Sequence, residues 1–211
     1  MSWRYVEGVP LPDPVGGHPA LDFCNTRAGW GTGSPKEYLT SVAALGLWAR
    51  EAGLLPDDVG PAADAVGALA ATATLSRAVA LREAVYACAL RRGTPHDWAL
   101  VAGEAAAARA ASELVPGDAG EPARWRLAAA GRGAGRPDPG LADGLDLPVL
   151  AVAVAAEDLL TSRLGSCVAA CRGAGCGWLF ADPRGRRRWC SMAVCGNRAK
   201  ARAYAERHRT R

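Results

Sequence analysis

The sequence predicts a mainly α fold: a helical body of about 145 residues, followed by a small module in which a β-hairpin and a helix carry clustered cysteines. Three observations predict it. Half of the 211 residues are apolar, and in the long segments they recur at helical rather than strand spacing. Two Cys-x4-Cys pairs, Cys171/Cys176 and Cys190/Cys195, stand 13 residues apart near the C-terminus. Charge is divided unevenly: residues 163–211 hold 12 Lys and Arg against only Asp182 and Glu206, while residues 1–162 hold 13 basic and 19 acidic residues.

Residues 1–15 read as a flexible, extended N-terminus, and residues 16–145 as the helical domain. Within that domain Leu21 to Trp30 is a short apolar segment running into Gly29-Trp-Gly-Thr-Gly33. Ser34-Pro35-Lys36-Glu37 has the form of a capping box with Pro at the first helical position. The helix it would open carries Leu39, Val42, Leu45 and Trp48 on one side and stops at Gly53. An Ala-rich helix is expected from about Pro61 to Leu90, with Leu75, Val79, Arg82 and Tyr86 at helical spacing. Thr94-Pro95-His96-Asp97 is a further N-cap signal, for a helix reaching about Leu114. Trp125 to Leu127 suggests a short strand, and Gly131 to Pro139 a flexible loop. A connecting helix is assigned to residues 146–166, and the module with its basic C-terminal helix to residues 167–211.

No secretory signal is readable in the Pro-rich stretch Met1 to Pro14. The longest apolar run, Leu147 to Leu160, is too short to span a bilayer and contains Glu157 and Asp158. A cytoplasmic protein with no membrane partner is therefore expected, and in that compartment clustered cysteines bind metal rather than pair. Cys171, Cys176, Cys190 and Cys195 supply the four soft ligands of one tetrahedral, structural Zn2+, leaving Cys24, Cys88 and Cys167 as free thiols. All four positions are filled by protein, which disfavours a catalytic metal.

Between the cysteine pairs, Trp178 to Ala181 has strand character, Asp182 to Gly185 is a turn, and Arg186 to Cys190 returns as a second strand. Ser191 would cap a helix whose first turn carries Cys195. Knuckle, hairpin and helix together form a treble-clef-like zinc finger with four cysteine ligands. Trp178, Phe180 and Trp189 are expected to form its mini-core over the metal. Zinc of this kind contributes on the order of 10 kcal/mol to folding, so the module should not fold without it. Cys190→Ser is expected to unfold the module and leave the helical body standing.

Cys176-Gly-Trp-Leu-Phe-Ala-Asp182, Arg188-Trp-Cys-Ser-Met192 and Cys195-Gly-Asn-Arg198 closely resemble the CGNR zinc finger, named for the last of these tetrapeptides. Leu21-Asp-Phe-Cys-Asn-Thr26 resembles the Leu-Asp-Phe-x-Asn-Thr signature of ABATE, the helical domain that usually precedes it. The resemblance covers the chain from about Gly16 onward. It implies a stress-linked transcriptional regulator with a ligand-sensing N-terminal domain and a DNA-binding finger. One departure is the loop Pro183 to Arg188, shorter than the family's Ser-Arg-Asn-like stretch, so the sequence preference of that loop does not carry over.

The basic residues are the candidates for nucleic-acid contact. Arg184, Arg186, Arg187 and Arg188 crowd one hairpin tip, where adjacent guanidinium groups repel one another unless a polyanion neutralises them. Arg198, Lys200 and Arg202 lie on the last helix, and Asn197 has the side chain of an adenine reader, or of a local cap. Asp22, Asn25 and Thr26 form a polar cluster suited to a small-molecule effector, and equally to capping and turns. His18 and His96 stand alone, and no catalytic pair or cofactor loop is visible, so a binding protein rather than an enzyme is expected. RNA or an acidic protein partner would use the same zinc scaffold. A single finger reads few base pairs, so a sequence-specific regulator of this size would need to form a homodimer.

Overall fold

The computed structural model describes residues 2–56, 67–117, 120–127 and 144–209. Four of its helices make the body: α2 (Val42–Glu51), α3 (Ala68–Ala89), α4 (Pro95–Ala110) and α5 (Leu147–Thr161). A short α1 (Pro19–Cys24) precedes them. Helix α5 is the centre. It packs on α1, α2, α3 and α4, and ten of its fifteen residues are buried, from Leu147 through Leu159. Within the segment 146–166, expected as a connecting helix, Leu147–Thr161 is thus the axis of the core. Its near-continuous apolar run is the reason: a helix apolar on all sides is stable only when surrounded. The helix ends at Thr161, and a 3-10 turn, Arg163–Cys167, leads on.

Several boundaries differ from expectation for local reasons. Residues Trp3–Val6 (β1) and Val9–Pro12 (β2) pair as an antiparallel hairpin instead of a flexible tail. Its two-residue turn, Glu7-Gly8, has both φ angles positive (48° and 78°), as a type I′ turn requires. The Ser34–Glu37 box opens no helix. Lys36–Glu37 (β4) pairs with Arg27–Ala28 (β3), and α2 begins after Ser41, whose hydroxyl accepts from Ala44 N. The Glu37 carboxylate accepts from Tyr38 N and Leu39 N and pairs with Arg82 of α3. Helix α3 is described from Ala68; the expected start near Pro61 lies outside the described residues, as does the Gly131–Pro139 loop. The Thr94/Asp97 capping box is present in both directions. Helix α4 stops at Ala110 rather than Leu114, because Ser112–Val115 (β5) pairs with Arg124–Leu127 (β6).

Two apolar clusters result. The larger joins α1 to α5 and takes in Val168 and Leu179 from the C-terminal part. The smaller contains Trp178, Phe180 and the four clustered cysteines, together with Ala28 and Tyr38 from the body. No described helix is long and apolar enough to cross a membrane.

Candidate metal centre and basic surface

The metal centre is built on a hairpin, with different strands from those expected. Val168–Ala170 (β7) pairs with Leu179–Ala181 (β8), so the first cysteine pair lies in the hairpin's own loop. Arg186 to Cys190 forms no strand; it is tied down by a bond from Arg172 N to Arg188 O (3.1 Å). Bonds from Cys171 N to Trp178 O (2.8 Å) and Cys176 N to Gly173 O (3.0 Å) shape the knuckle. Gly173 is required by close approach: a Cβ there would lie 3.0 Å from Cys195 Sγ and 3.4 Å from Cys171 Sγ. The last helix, α6 (Asn197–Arg209), is entered through a wide π turn, Met192–Gly196, in which Gly196 N donates to Ser191 O (3.1 Å). That turn carries Cys195 inward. Ser191 stands at the cap position, as expected, without a side-chain capping bond.

The ligand atoms of Cys171, Cys176, Cys190 and Cys195 all lie within 4.8 Å of one another, and all four residues are buried. Cys176 Sγ and Cys195 Sγ each lie 3.7 Å from Cys190 Sγ. A tetrahedron of thiolates around zinc at about 2.3 Å has edges of about 3.8 Å, so the spacing fits one ion at the centre. The thiols also titrate against one another. The hydrogen bond from Cys176, then that from Cys190, holds Cys171 down to about 2; sharing with Cys171 pushes Cys176 up to about 12 and Cys190 upward as well. A divalent cation would take the place of these shared protons and hold the sulfurs as thiolates. Cys167 lies on the 3-10 turn outside this group, and Cys24 and Cys88 are buried in the body.

The sequence-predicted cations divide into two kinds. Arg187 is a structural clamp. Its Nη2 donates to Cys190 O (2.8 Å) and Val15 O (3.1 Å), its Nη1 to Ala181 O (3.4 Å), and its guanidinium sits 4.2 Å over the Phe180 ring. Arg187 is nonetheless exposed, as are Arg184, Arg186 and Arg188, the last 5.7 Å from the Trp189 ring centre. Arg198, Lys200 and Arg202 are exposed on α6, with Arg198 and Arg202 flanking a small cleft beside Cys176 and Cys195. Asn197 Nδ2 donates to Ala193 O (3.2 Å), a bond within its own turn that uses the amide locally. Trp178 and Phe180 are fully buried and Trp189 partly so, in keeping with a mini-core.

Asp22 lines a small cleft of about 130 Å³ with Arg4, Trp48 and Glu51, and Asp22, Asn25 and Thr26 each have an internal partner. Asp22 Oδ1 accepts from Val15 N (2.9 Å) and Gly16 N (2.8 Å). Asn25 faces β8: its Nδ2 donates to Leu179 O (3.0 Å) and its Oδ1 accepts from Leu179 N (2.7 Å). Thr26 donates to Phe23 O (2.6 Å) and accepts from Arg82 Nη1 (3.0 Å). A cavity of about 830 Å³ lies elsewhere, over α5 and the β5–β6 hairpin, with Leu54, Trp125, Ala151 and Ala155 in its lining. At its rim His18 is not isolated: Nδ1 accepts from Ala20 N (3.2 Å) and Nε2 meets Asp158 Oδ2 at 3.1 Å. The helix cap occupies one ring nitrogen and Asp158 the other, which suits a structural role.

Sequence reading missed the residues that join the two parts. Tyr86 OH donates to Gly177 O (2.8 Å), Trp178 Nε1 to Arg27 O (3.0 Å), and Trp30 N to Cys176 O (3.3 Å). Trp30 also stacks on Tyr86, with ring centres 3.7 Å apart. Arg82 and Tyr86 on an otherwise apolar helical stripe were the available signal, since a polar group at a core position must have a partner.

Family models match both parts of the chain. Residues 17–163 match ABATE, described as "Putative stress-induced transcription regulator", and residues 167–208 match the CGNR zinc finger. No curated protein is a significant match. With more than half of its length matched, the chain belongs to the ABATE family and carries at its C-terminal end a CGNR zinc finger with one structural zinc site.

Proposed function

We propose that the protein is a cytoplasmic, zinc-dependent DNA-binding regulator of transcription and not an enzyme, with its finger in a treble-clef-like arrangement. Helix α6 carries the reading. None of its thirteen residues is buried, and it presents Arg198, Lys200, Arg202 and Arg209 alongside Glu206. An isolated helix of this length is marginal in water, so an unpacked basic helix anchored at one end by a metal ligand gains its stabilising contacts from a polyanion. Arg184, Arg186 and Arg188 on the neighbouring loop extend the same charge, and the net excess in residues 163–211 gives it reach. An effector would find room in the cavity over α5, whose apolar floor and Trp125 wall suit a small amphipathic molecule. Such a site replaces the Asp22–Thr26 cluster as the place for ligand sensing. The alternative, RNA or an acidic protein partner, rests on the same exposed cations.

The test is selection from a random duplex pool with zinc-loaded protein, at low and at physiological salt. An enriched motif that persists at physiological salt supports the reading, and a palindromic one reports a dimer. Salt-sensitive binding without an enriched motif, or preference for single strands, overturns sequence-specific DNA reading in favour of the alternative.

A further inference from the structure

We infer that the zinc finger and the helical body load and fold as one unit, with Asn25 as the residue that positions the knuckle for metal. The expected division into a finger that collapses without zinc and a body that does not is at odds with how the surfaces between them are built. Asn25 is fully buried and makes a two-way bond with the backbone of Leu179, 154 residues away. That pair extends the β7–β8 hairpin with a side-chain amide where a third strand would stand. Around it, Ala181 N donates to Gly16 O (2.8 Å), Trp178 Nε1 to Arg27 O, and Tyr86 OH to Gly177 O.

Apolar contacts follow the same line. The cluster around the thiolates contains Ala28 and Tyr38, and the body's core contains Val168 and Leu179, so neither part encloses its own interior. Gly177, at φ 71°, lies against Trp30 so closely that a Cβ would fall 2.5 Å from the Trp30 Cβ. A module of about 40 residues cannot bury enough surface alone; here the metal closes one side and the body the other. The polar part of the Leu-Asp-Phe-x-Asn-Thr signature is accounted for in these terms. Asp22 fixes the Val15–Gly16 loop that reaches β8, Asn25 receives β8, and Thr26 orients Arg82.

The proposal concerns metal and folding, and stands whether or not the partner is DNA. Its test uses the full chain. Hydrogen exchange is measured on zinc-loaded protein and on protein stripped with a chelator. Residues 21–30 and 176–181 are expected to lose protection together, each exchanging at least ~tenfold faster, since opening one side leaves buried donors and acceptors of the other without partners. Loss confined to residues 168–209 would overturn the proposal. In parallel, zinc transfer to a chromophoric chelator is timed for Asn25→Ala and for Val101→Ala, a truncation on α4 away from the finger. Asn25→Ala should release zinc at least ~tenfold faster than wild type, and Val101→Ala, which loosens the same unit from its far side, should lower the melting temperature and speed release far less. Equal release rates for Asn25→Ala and wild type, or acceleration by both variants alike, would assign Asn25 a general structural role and overturn its positioning role. Should Asn25→Ala fail to fold, the exchange comparison on wild-type protein decides the matter.

Discussion

Arg82 is the most exacting test of the energetics in the body. Its side chain is 1% exposed, while its partner Glu37 is 38% exposed. The guanidinium makes a bidentate pair with Glu37 and one bond to Thr26, but its buried Nε has no partner among the described residues. Removing each side of the pair therefore has unequal consequences. Arg82→Met takes the charge out of the core and leaves Glu37 able to reach water, still accepting from Tyr38 N and Leu39 N. The cost should be about 1–2 kcal/mol, because loss of the pair is offset by relief of guanidinium desolvation. Glu37→Ala leaves a buried cation unneutralised and removes the acceptor for two backbone N–H groups, costing about 3–5 kcal/mol. Combining the two should cost about 2–3 kcal/mol, less than Glu37→Ala alone, giving a large favourable interaction term in the cycle. Urea unfolding of zinc-loaded protein measures all four species, with the midpoints compared at constant m. For a chain of this size the worst variant should melt roughly 6–20 °C below wild type. Additive costs, or Arg82→Met as severe as Glu37→Ala, would refute the view that the buried charge, and not the contact, sets the penalty.

Two further outcomes separate residues that the sequence treats alike. If Arg184, Arg186, Arg188, Arg198, Lys200 and Arg202 each meet a phosphate, the logarithm of duplex affinity should fall with that of salt at a slope of about −5, and Arg186→Gln should reduce that slope by about 1. Arg187→Gln should leave the slope unchanged and instead lower the thermal stability of the zinc-loaded protein, since its guanidinium bonds three carbonyls internally; a lost slope unit without lost stability would contradict that assignment. Burial raises the Asp22 carboxyl above its ordinary 3.8, against the bonds from Gly16 and Val15. A raised folded value means that the native state holds the proton longer, so this group's contribution is fully present below pH 3.8 and declines as pH rises through the folded value. Asp22→Asn, which keeps the acceptor oxygen, should flatten that decline in pH-dependent unfolding; an unaltered profile would show that Asp22 does not titrate with folding.

What could be read in the sequence was whatever local chemistry decides. The four ligands follow from cysteine spacing, the start of α4 from Thr94 and Asp97, and the mini-core from three aromatic residues in a module with little else to bury. Strand pairing was harder, because short strands are selected by their partners. Val168-Ala-Ala170 carries no strand signal, yet it pairs with β8 because the knuckle folds the chain back on itself. The N-terminal hairpin was hidden by Pro10 and Pro12, which ordinarily argue against a strand but are tolerated at an edge. The Ser34–Glu37 box is a true pattern with a different use: Glu37 binds Arg82, a residue 45 positions away, and that long-range pair outweighs a capping bond of about 1 kcal/mol. Asn25 shows the same limit, since the partner of a polar core residue is not contained in its own segment.

The division of labour among the arginines follows from what zinc can and cannot fix. Four thiolates pin the knuckle, the end of the loop at Cys190 and the start of α6 at Cys195 to one point. They leave the six-residue loop from Pro183 to Arg188 free to swing about Asp182 unless something else holds it. Arg187 does so together with the bond from Arg172 N to Arg188 O: its guanidinium bonds carbonyls on β8, on Cys190 and on the body's Val15, while the Asp182 carboxylate accepts from its backbone N–H (2.8 Å). Held this way, the loop presents the exposed Arg184, Arg186 and Arg188 beside α6, and on the proposed function an anion would offset their like charge. One exposed arginine bonded back onto the chain would thus make the other three a preorganised surface, reducing the ordering cost of the proposed binding. On this view Arg187→Gln should weaken nucleic-acid binding through loop disorder alone, and the loss should shrink as temperature falls and the loop settles. A temperature series of binding isotherms with wild-type and Arg187→Gln protein measures it, and a loss independent of temperature would mean that Arg187 touches the partner directly.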